Sequence, residues 1–149
     1  MVNEYLLLNS LKTVLDADAA LTALLKVKSG STKVILGPTR PSMGSNPTIQ
    51  LFVSDHGEDE EAKWGKLQVT AAILSSDKAD GTADVQEIAN IVERVVMVVD
   101  ETPPSLTGHR SYNLGLTGFQ PVSPAGAGAD GKPQHVQEAH FLYRGIKTT

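Results

Sequence analysis

A glycine-rich segment near the C-terminus is the first candidate for chemistry. Residues 126–132 (GAGADGK) match the G-x-x-x-x-G-K pattern of phosphate-binding loops. Such a loop needs a strand before it, a helix after it, and a Ser or Thr after the lysine to bind magnesium. Here Pro133 follows Lys132, and the next residues alternate like a strand. We therefore interpret residues 123–134 as a flexible surface loop rather than a nucleotide site.

Five acidic residues close together are the second candidate, because clustered carboxylates suit Ca²⁺ or Mg²⁺. They are Asp55, Glu58, Asp59, Glu60 and Glu61. Their spacing lacks the D-x-[DN]-x-[DN]-G order of a calcium loop. The simpler interpretation is the solvated tip of a β-hairpin with Gly57 in its turn, since runs of charge are usually hydrated. A surface that repels a polyanion is a third interpretation, and no metal site is predicted.

The remaining reactive residue types do not assemble into a site. His135 and His140 are five residues apart on a predicted strand, so they point to opposite faces and do not share a metal ion. His56 and His109 are predicted to lie in loops. The chain has no cysteine, which excludes disulfides, cysteine-ligated zinc and thiol catalysis. No G-x-S-x-G turn and no acid–base pair of carboxylates stands out, so the sequence predicts neither an enzyme nor a bound cofactor.

Composition indicates an ordinary globular protein. Its 149 residues, 40% hydrophobic and 20% charged, predict a single domain over residues 1–149. The net charge of −4 argues against a protein that coats nucleic acid or an anionic membrane. Glu4 and Asn9 are unsuited to a signal peptide or a membrane span, so we expect synthesis in the cytosol.

The element around which the chain is organised is a helix predicted over residues 82–100. Seven of its apolar residues recur at three- and four-residue steps and share one helical face. They are Val85, Ile88, Ala89, Val92, Val95, Val96 and Val99. Asp84 stands three residues before Glu87, an approximate capping box. Ile91 and Met97 fall near the edges of the opposite, polar face.

The other elements place this helix against a sheet. Helices at residues 3–15 and 20–25 come first, with Asp18 as the predicted N-cap of the second. The predicted strands are residues 32–36, 48–54, 66–74, 111–122 and 135–146. Gly115 and Gly118 predict a twist or bulge in the fourth. This order predicts an α+β fold, a two-layer sandwich with an antiparallel or mixed sheet of four to five strands and the helices packed on one face.

The layout of the chain resembles the tail terminators of long-tailed phages, a family of tail-completion proteins also filed as minor tail or neck proteins. The resemblance rests on LKTVLDADAALTALL, the strand TIQLFVS, the Trp-led strand KWGKLQVTAAILS, the helix ADVQEIANIVERVVMVVD and the closing strand QEAHFLYRGI. It covers nearly the whole chain. The Gly/Pro loop at residues 37–47 and the glycine-rich insertion before the last strand depart from the family's pattern.

The resemblance implies a structural virion protein that forms a ring, expected to be a hexamer. Such a ring caps the tail tube, ends its polymerisation and joins the tail to the neck. The implied partners are further copies of itself, the tail tube protein and a neck or head-completion protein. DNA passes through the ring without specific binding, and no membrane is involved. The implied location is the head–tail junction of the virion, after assembly in the host cytoplasm.

Two alternative functions stay open, and the resemblance to a ring-forming protein suggests two contact surfaces. A head-side neck or connector protein of the same particle stays open, as does, more distantly, a small α+β ligand-binding protein or enzyme. The acidic tip is expected to face the lumen or the tube, where it would let DNA slide. The polar face of the long helix is expected to meet a neighbouring subunit. The candidate interface or lumen residues are Asp55, Glu58, Asp59, Glu60, Glu61, Trp64, Ile91 and Met97.

Overall fold

A mixed β-sheet with helices on one face forms the protein, as seen in a computed structural model that describes residues 2–26, 34–37, 47–59, 64–127 and 131–148. Its elements are α1 (Glu4–Ala17), α2 (Ala19–Leu24), β1 (Val34–Leu36), β2 (Thr48–Asp59), β3 (Trp64–Ser76), α3 (Val85–Val99), β4 (His109–Phe119), β5 (Ser123–Ala127) and β6 (Pro133–Lys147). The strand order is β1-β2-β3-β6-β4, and β5 pairs with β6 as well. Strand β1 runs parallel to β2, and the other pairs are antiparallel. The predicted α+β fold is confirmed, with six strands instead of four to five.

The central strands β3 and β6 supply the sheet's share of the core. Their core-facing residues alternate along each strand as predicted. Those residues are Leu67, Val69, Ala71 and Ile73 of β3 and Ala139, Phe141 and Tyr143 of β6, and all are buried. The register places Leu67 beside Tyr143 and Val69 beside Phe141. Burial of these large apolar side chains against the helices is the main favourable term in the stability of the sheet.

Helix α3 lies on the sheet with the predicted apolar face inward but rotated, since Ile88, Val92, Val95 and Val99 are buried as predicted and Ile91 joins them. The buried residues are Ile88, Ile91, Val92, Val95 and Val99. Ala89 and Val85 are exposed, whereas Ile91 is fully buried. The apolar arc of this helix is wide, so its period does not fix which edge points inward. Rotation towards Ile91 buries a larger apolar side chain than rotation towards Ala89 would, and this favours the observed orientation.

An acidic residue joins the two N-terminal helices to α3. The Asp18 carboxylate caps α2, as predicted, by accepting a hydrogen bond from Leu21 N–H at 2.8 Å. The same carboxylate accepts two hydrogen bonds from Arg94 of α3, from Nε at 2.9 Å and from Nη2 at 2.7 Å. At the start of α3, Asp84 accepts from Glu87 N–H at 3.1 Å, which is the forward half of the predicted capping box.

The β2–β3 hairpin is longer than the sequence predicted. Residues 55–59 continue β2 and pair with β3, and Gly57 lies opposite Lys66. The prediction of a turn at Gly57 is therefore wrong. A run of charged residues indicates exposure to water, and this is found both at the tip of a hairpin and on a solvent-exposed face of a strand. The connection at residues 60–63 lies outside the described residues, as do residues 32, 33 and 38–46 of the predicted first strand and Gly/Pro loop.

The segment predicted as a glycine-rich loop contains a strand. Residues 123–127 form β5 and pair with the start of β6, so that part of the prediction is wrong. Pro124 and Gly126 weaken the strand pattern, yet both are tolerated in a strand that pairs on one side. After Lys132 the chain enters β6 and not a helix, as predicted. The helix N-terminus that a phosphate-binding loop requires is therefore missing at this point.

Strand β4 forms one edge of the sheet, and the segment after α3 covers part of that edge. The predicted irregularity is present as register shifts between Ser111 and Asn113 and between Leu116 and Gly118. The Asp100 carboxylate accepts a hydrogen bond from Leu116 N–H at 2.7 Å. Glu101 N–H donates to Leu114 O, also at 2.7 Å. These contacts satisfy backbone groups that an edge strand otherwise leaves open to pairing with another chain.

Candidate functional site

Of the five predicted acidic residues, three lie on β2 and two lie outside the described residues. Asp55 is exposed on β2. Glu58 and Asp59 continue the same strand opposite Gly65 and Trp64, and their side chains lie outside the description. Glu60 and Glu61 lie outside the described residues altogether. The acidic stretch is therefore carried at least in part by an extended, paired strand, which holds its backbone in a fixed position relative to β3.

The three apolar residues predicted at an interface have different outcomes. Trp64 is the first residue of β3, which begins two residues before the predicted start, and its side chain lies outside the description. Ile91 is 0% exposed, so the expectation that it lies on a free face of α3 is wrong. Met97 is 65% exposed. Of the predicted pair on α3, Met97 is thus the residue that can reach a neighbouring molecule without rearrangement of the core.

Met97 belongs to an apolar groove between α3 and the sheet. The groove has a volume of about 380 Å³ and is lined by Ala89, Val92, Glu93, Val96, Met97, Phe119 and Gln137. Phe119 stands at the end of β4 and is 49% exposed. The sequence analysis missed Phe119 because its partner Met97 is 22 positions away in the chain. An exposed methionine and phenylalanine side by side are typical of a contact surface.

A cluster of basic residues lies on the face of the sheet that points away from the helices. We call Lys66, Arg110 and Arg144 the basic flank. Lys66 lies directly opposite Arg144, and Arg110 lies opposite Ile146, two residues further along β6. All three residues are exposed, and within the described chain no ion pair joins any of them to an acidic residue. The sequence analysis missed this cluster because the register brings it together from three separate strands.

The acidic residues lie beside the basic flank at the same end of the sheet. We call Asp55 and Asp59 of β2 the acidic flank, because the register places them opposite Gln68 and Trp64, at positions on the same sheet face as Lys66. The register aligns Asp59, Trp64, Ile146 and Arg110 in one row across β2, β3, β6 and β4. Three strand spacings of about 4.8 Å separate the two ends of the row by about 14 Å. This end of the sheet therefore has an acidic side and a basic side.

The histidines occupy separate positions, each with its own hydrogen-bond partner. His56 lies in β2 and His109 begins β4, so the prediction that both lie in loops is wrong. His56 Nδ1 is 2.8 Å from Glu4, and His135 Nδ1 is 2.6 Å from Asp77. His140 Nδ1 is 3.1 Å from the Thr70 hydroxyl. In the described ranges, no group of three His, Cys, Asp or Glu side chains could hold a metal ion.

A cleft beside α1 offers little for catalysis. It has a volume of about 400 Å³ and lies between α1, the end of α3 and residues 102–107. Its lining residues are Leu6, Asn9, Ser10, Leu11, Thr13, Val14, Val98, Val99, Thr102, Pro103, Pro104, Ser105, Leu106 and Thr107. None of these has an acidic or basic side chain, so the cleft lacks the convergent acid and base that a hydrolytic or transfer reaction requires.

The groups with shifted pKa values have structural causes. Hydrogen bonds from Arg94 lower the pKa of the Asp18 carboxyl, and that ion pair raises the pKa of Arg94. Hydrogen bonds from the Thr82 hydroxyl and N–H lower the pKa of Asp80. Burial raises the pKa of the Tyr143 phenol, which hydrogen-bonds Ser111 at 2.9 Å. None of these groups lines the cleft, so their shifts report caps, turns and burial instead of a reactive centre.

Comparison with known proteins gives a likeness of fold. Among the described residues, no helix is long and apolar enough to cross a membrane. The sequence matches no protein-family model and no curated protein. The fold is similar to that of a chain in a solved structure, the "Virion of native gene transfer agent (GTA) particle". The two chains have a TM-score of 0.63 and 16% sequence identity, over 94% of this chain and 94% of that chain. They therefore share a fold over nearly their full lengths.

Proposed function

We propose that this chain is a structural virion protein whose single domain, residues 1–149, assembles into a ring at the head–tail junction. The ring is a hexamer that caps the finished tail tube, ends its polymerisation and joins the tail to the neck. Its partners are the tail tube protein, a neck or head-completion protein and the neighbouring copies. DNA passes through its centre without specific binding. Assembly takes place in the host cytoplasm, and the protein is not an enzyme.

The observation that carries the proposal is the shared fold with a chain of a gene transfer agent virion, over 94% of both chains. The surface supports it in a second way. Met97 and Phe119 expose apolar area beside α3, and charges of opposite sign lie on the two sides of one sheet end. A protein that exposes such surfaces and lacks an acid–base pair in the cleft beside α1 suits assembly better than turnover of a small substrate.

The lengths of tails made without this protein test the proposal. A producing strain that lacks the gene is expected to make tails of uncontrolled length that do not join heads, because nothing caps the tube. Expression of the intact chain from a plasmid should restore uniform tails. Tails of normal length next to unjoined heads would refute the terminator role and identify a head-side connector. Normal infectious or transducing particles would refute any role at the junction.

A further inference from the structure

The apolar groove beside α3 combines unfilled space with an unpaired charge. Met97 and Phe119 are 65% and 49% exposed, so both keep apolar area in contact with water. Glu93 also lines the groove and is exposed. Within the described chain, no ion pair engages the Glu93 carboxylate. The groove therefore suits a partner that supplies an aromatic side chain together with a cation.

A second surface, at the start of β4, has both of these groups. We call Arg110 and Tyr112 the β4 patch. Both residues are exposed, Tyr112 to 44%. The Arg110 guanidinium carbon lies 5.3 Å from the centre of the Tyr112 ring, a stacking arrangement that holds the cation and the ring together. No carboxylate of the described chain pairs with Arg110. Tyrosine and arginine are the residue types enriched at the energetic centres of protein interfaces.

The groove and the β4 patch lie on opposite faces of the sheet. Phe119 stands opposite the buried Ala139, on the face that the helices cover. Arg110 stands opposite Ile146, an odd number of residues further along β6 and therefore on the other face. Seven residues of β6 separate these two positions, or about 23 Å. One copy therefore cannot place its β4 patch in its own groove, and both surfaces remain available to another copy.

We propose that the β4 patch of one copy docks in the α3 groove of the next. The Tyr112 ring then packs against Met97 and Phe119, and Arg110 pairs with Glu93. The groove has a volume of about 380 Å³, within the range of about 300–1,000 Å³ for sites that bind small organic molecules, so it admits one aromatic side chain.

This contact joins two different surfaces, as a ring requires. A heterologous contact leaves a free groove at one end of a row of copies and a free β4 patch at the other, until the last copy meets the first. The inference rests on the proposed ring and identifies the contact that would close it.

Other occupants satisfy one surface but not both. A phosphate backbone suits Arg110, but the groove is apolar and carries the Glu93 carboxylate. A small apolar ligand would fill the groove and leave both charges unpaired. A contact between two identical grooves would bring two Glu93 carboxylates together, and like charges across an interface oppose association. A second copy in head-to-tail orientation covers the apolar area and pairs both charges at once.

Exchange of the two charges tests the contact on the full-length chain. Glu93→Arg and Arg110→Glu each place like charges across the contact, so each variant should self-associate about 10-fold more weakly than the wild type. The double variant carries both changes in one chain. It restores opposite charges in reverse order and should associate within about threefold of the wild type. The control Lys78→Glu changes an exposed charge in the loop after β3 and should associate like the wild type.

Removal of the aromatic ring tests the apolar half of the contact. Tyr112→Ala should weaken self-association about 10-fold, and Phe119→Ala should act in the same direction. The two changes together should cost less than the sum of their separate effects, because both remove the same packing contact. Sedimentation and light scattering give the masses of the assemblies. Circular dichroism checks that each variant folds.

Several outcomes would overturn the inference. One is a wild type that stays monomeric at about 1 mM, and another is a dimer as its sole product. Unchanged association of Glu93→Arg or Arg110→Glu, or a double variant as weak as the single ones, would show that the two charges do not meet. Duplex DNA binding that depends on Arg110, without charge-dependent association, would show that nucleic acid occupies the β4 patch instead.

The outcome separates this inference from the proposed function. Self-association that follows the charge pattern, in a protein on which tail length does not depend, would support the contact and refute the tail-capping role. Tail-length control that survives Glu93→Arg and Tyr112→Ala would support the role and refute the contact.

Discussion

Replacement of Ile91 by alanine measures which face of α3 is buried. Ile91 is 0% exposed, so Ile91→Ala removes three buried carbon atoms, at about 0.8 kcal/mol each. This gives about 2.4 kcal/mol, and the cavity left behind brings the expected loss in the free energy of unfolding to between about 2 and 5 kcal/mol. Met97→Ala is the matched control on the same helix. Met97 is 65% exposed, so its loss should stay within about 0.5 kcal/mol.

Urea unfolding followed by circular dichroism resolves this difference. With a slope of about 2 kcal/mol per molar urea, a loss of about 3 kcal/mol lowers the midpoint by about 1.5 M. Met97→Ala should move the midpoint by less than about 0.25 M. All variants are compared at one protein concentration, because assembly adds a stability that depends on concentration. Equal shifts for the two variants, or a larger shift for Met97→Ala, would refute the orientation of α3 described above.

The other predictions concern charges with known neighbours. Asp18→Ala should lower the free energy of unfolding by about 1–2 kcal/mol through loss of the α2 cap, whereas Asp18→Asn should keep part of the cap while losing the ion pair with Arg94. Because the folded pKa of Asp18 is below its ordinary 3.8, the contribution of the ionised carboxylate is present above pH 3.8 and is lost as the pH falls through the folded pKa. A difference in urea midpoint between wild type and Asp18→Ala that does not become smaller in acid would contradict this. Arg144→Gln should leave the monomer unchanged or more stable by up to about 1 kcal/mol, because it removes the repulsion from Lys66, and a clear loss of thermal stability would contradict the unpaired arrangement.

Regular alternation made the central strands predictable from the sequence. In β3 and β6 every second residue is apolar over a long stretch, and a one-residue slip would expose the whole set. The N-cap at Asp18 was predictable for a similarly local reason, since a capping side chain bonds the backbone three residues ahead. Elements were therefore found wherever local chemistry and the tertiary fold favour the same structure.

The predictions from the sequence were wrong where tertiary contacts determine the local structure. The turn expected at Gly57 is strand because Lys66 lies opposite it, and β5 is strand because the start of β6 offers a partner. Ile91 was expected at the surface because the wide apolar arc of α3 does not define its own orientation.

The candidate surfaces were even less predictable than the elements. The sequence identified the acidic residues and Met97 as candidates, but the residues that form a surface with them are distant in the chain. Lys66, Arg110 and Arg144 span 79 positions, and only the register of three strands brings them to one face. Phe119 meets Met97 through the packing of α3 on the sheet. Such juxtapositions follow from topology, which the residue pattern of any one segment does not contain.

The position of this subunit in the assembled particle tests the central claim most directly. A reconstruction of purified particles by electron cryomicroscopy should show a closed ring of copies at the head-proximal end of the tail tube. Absence of the subunit from purified particles, or its presence only within the head or along the tube, would contradict the claim.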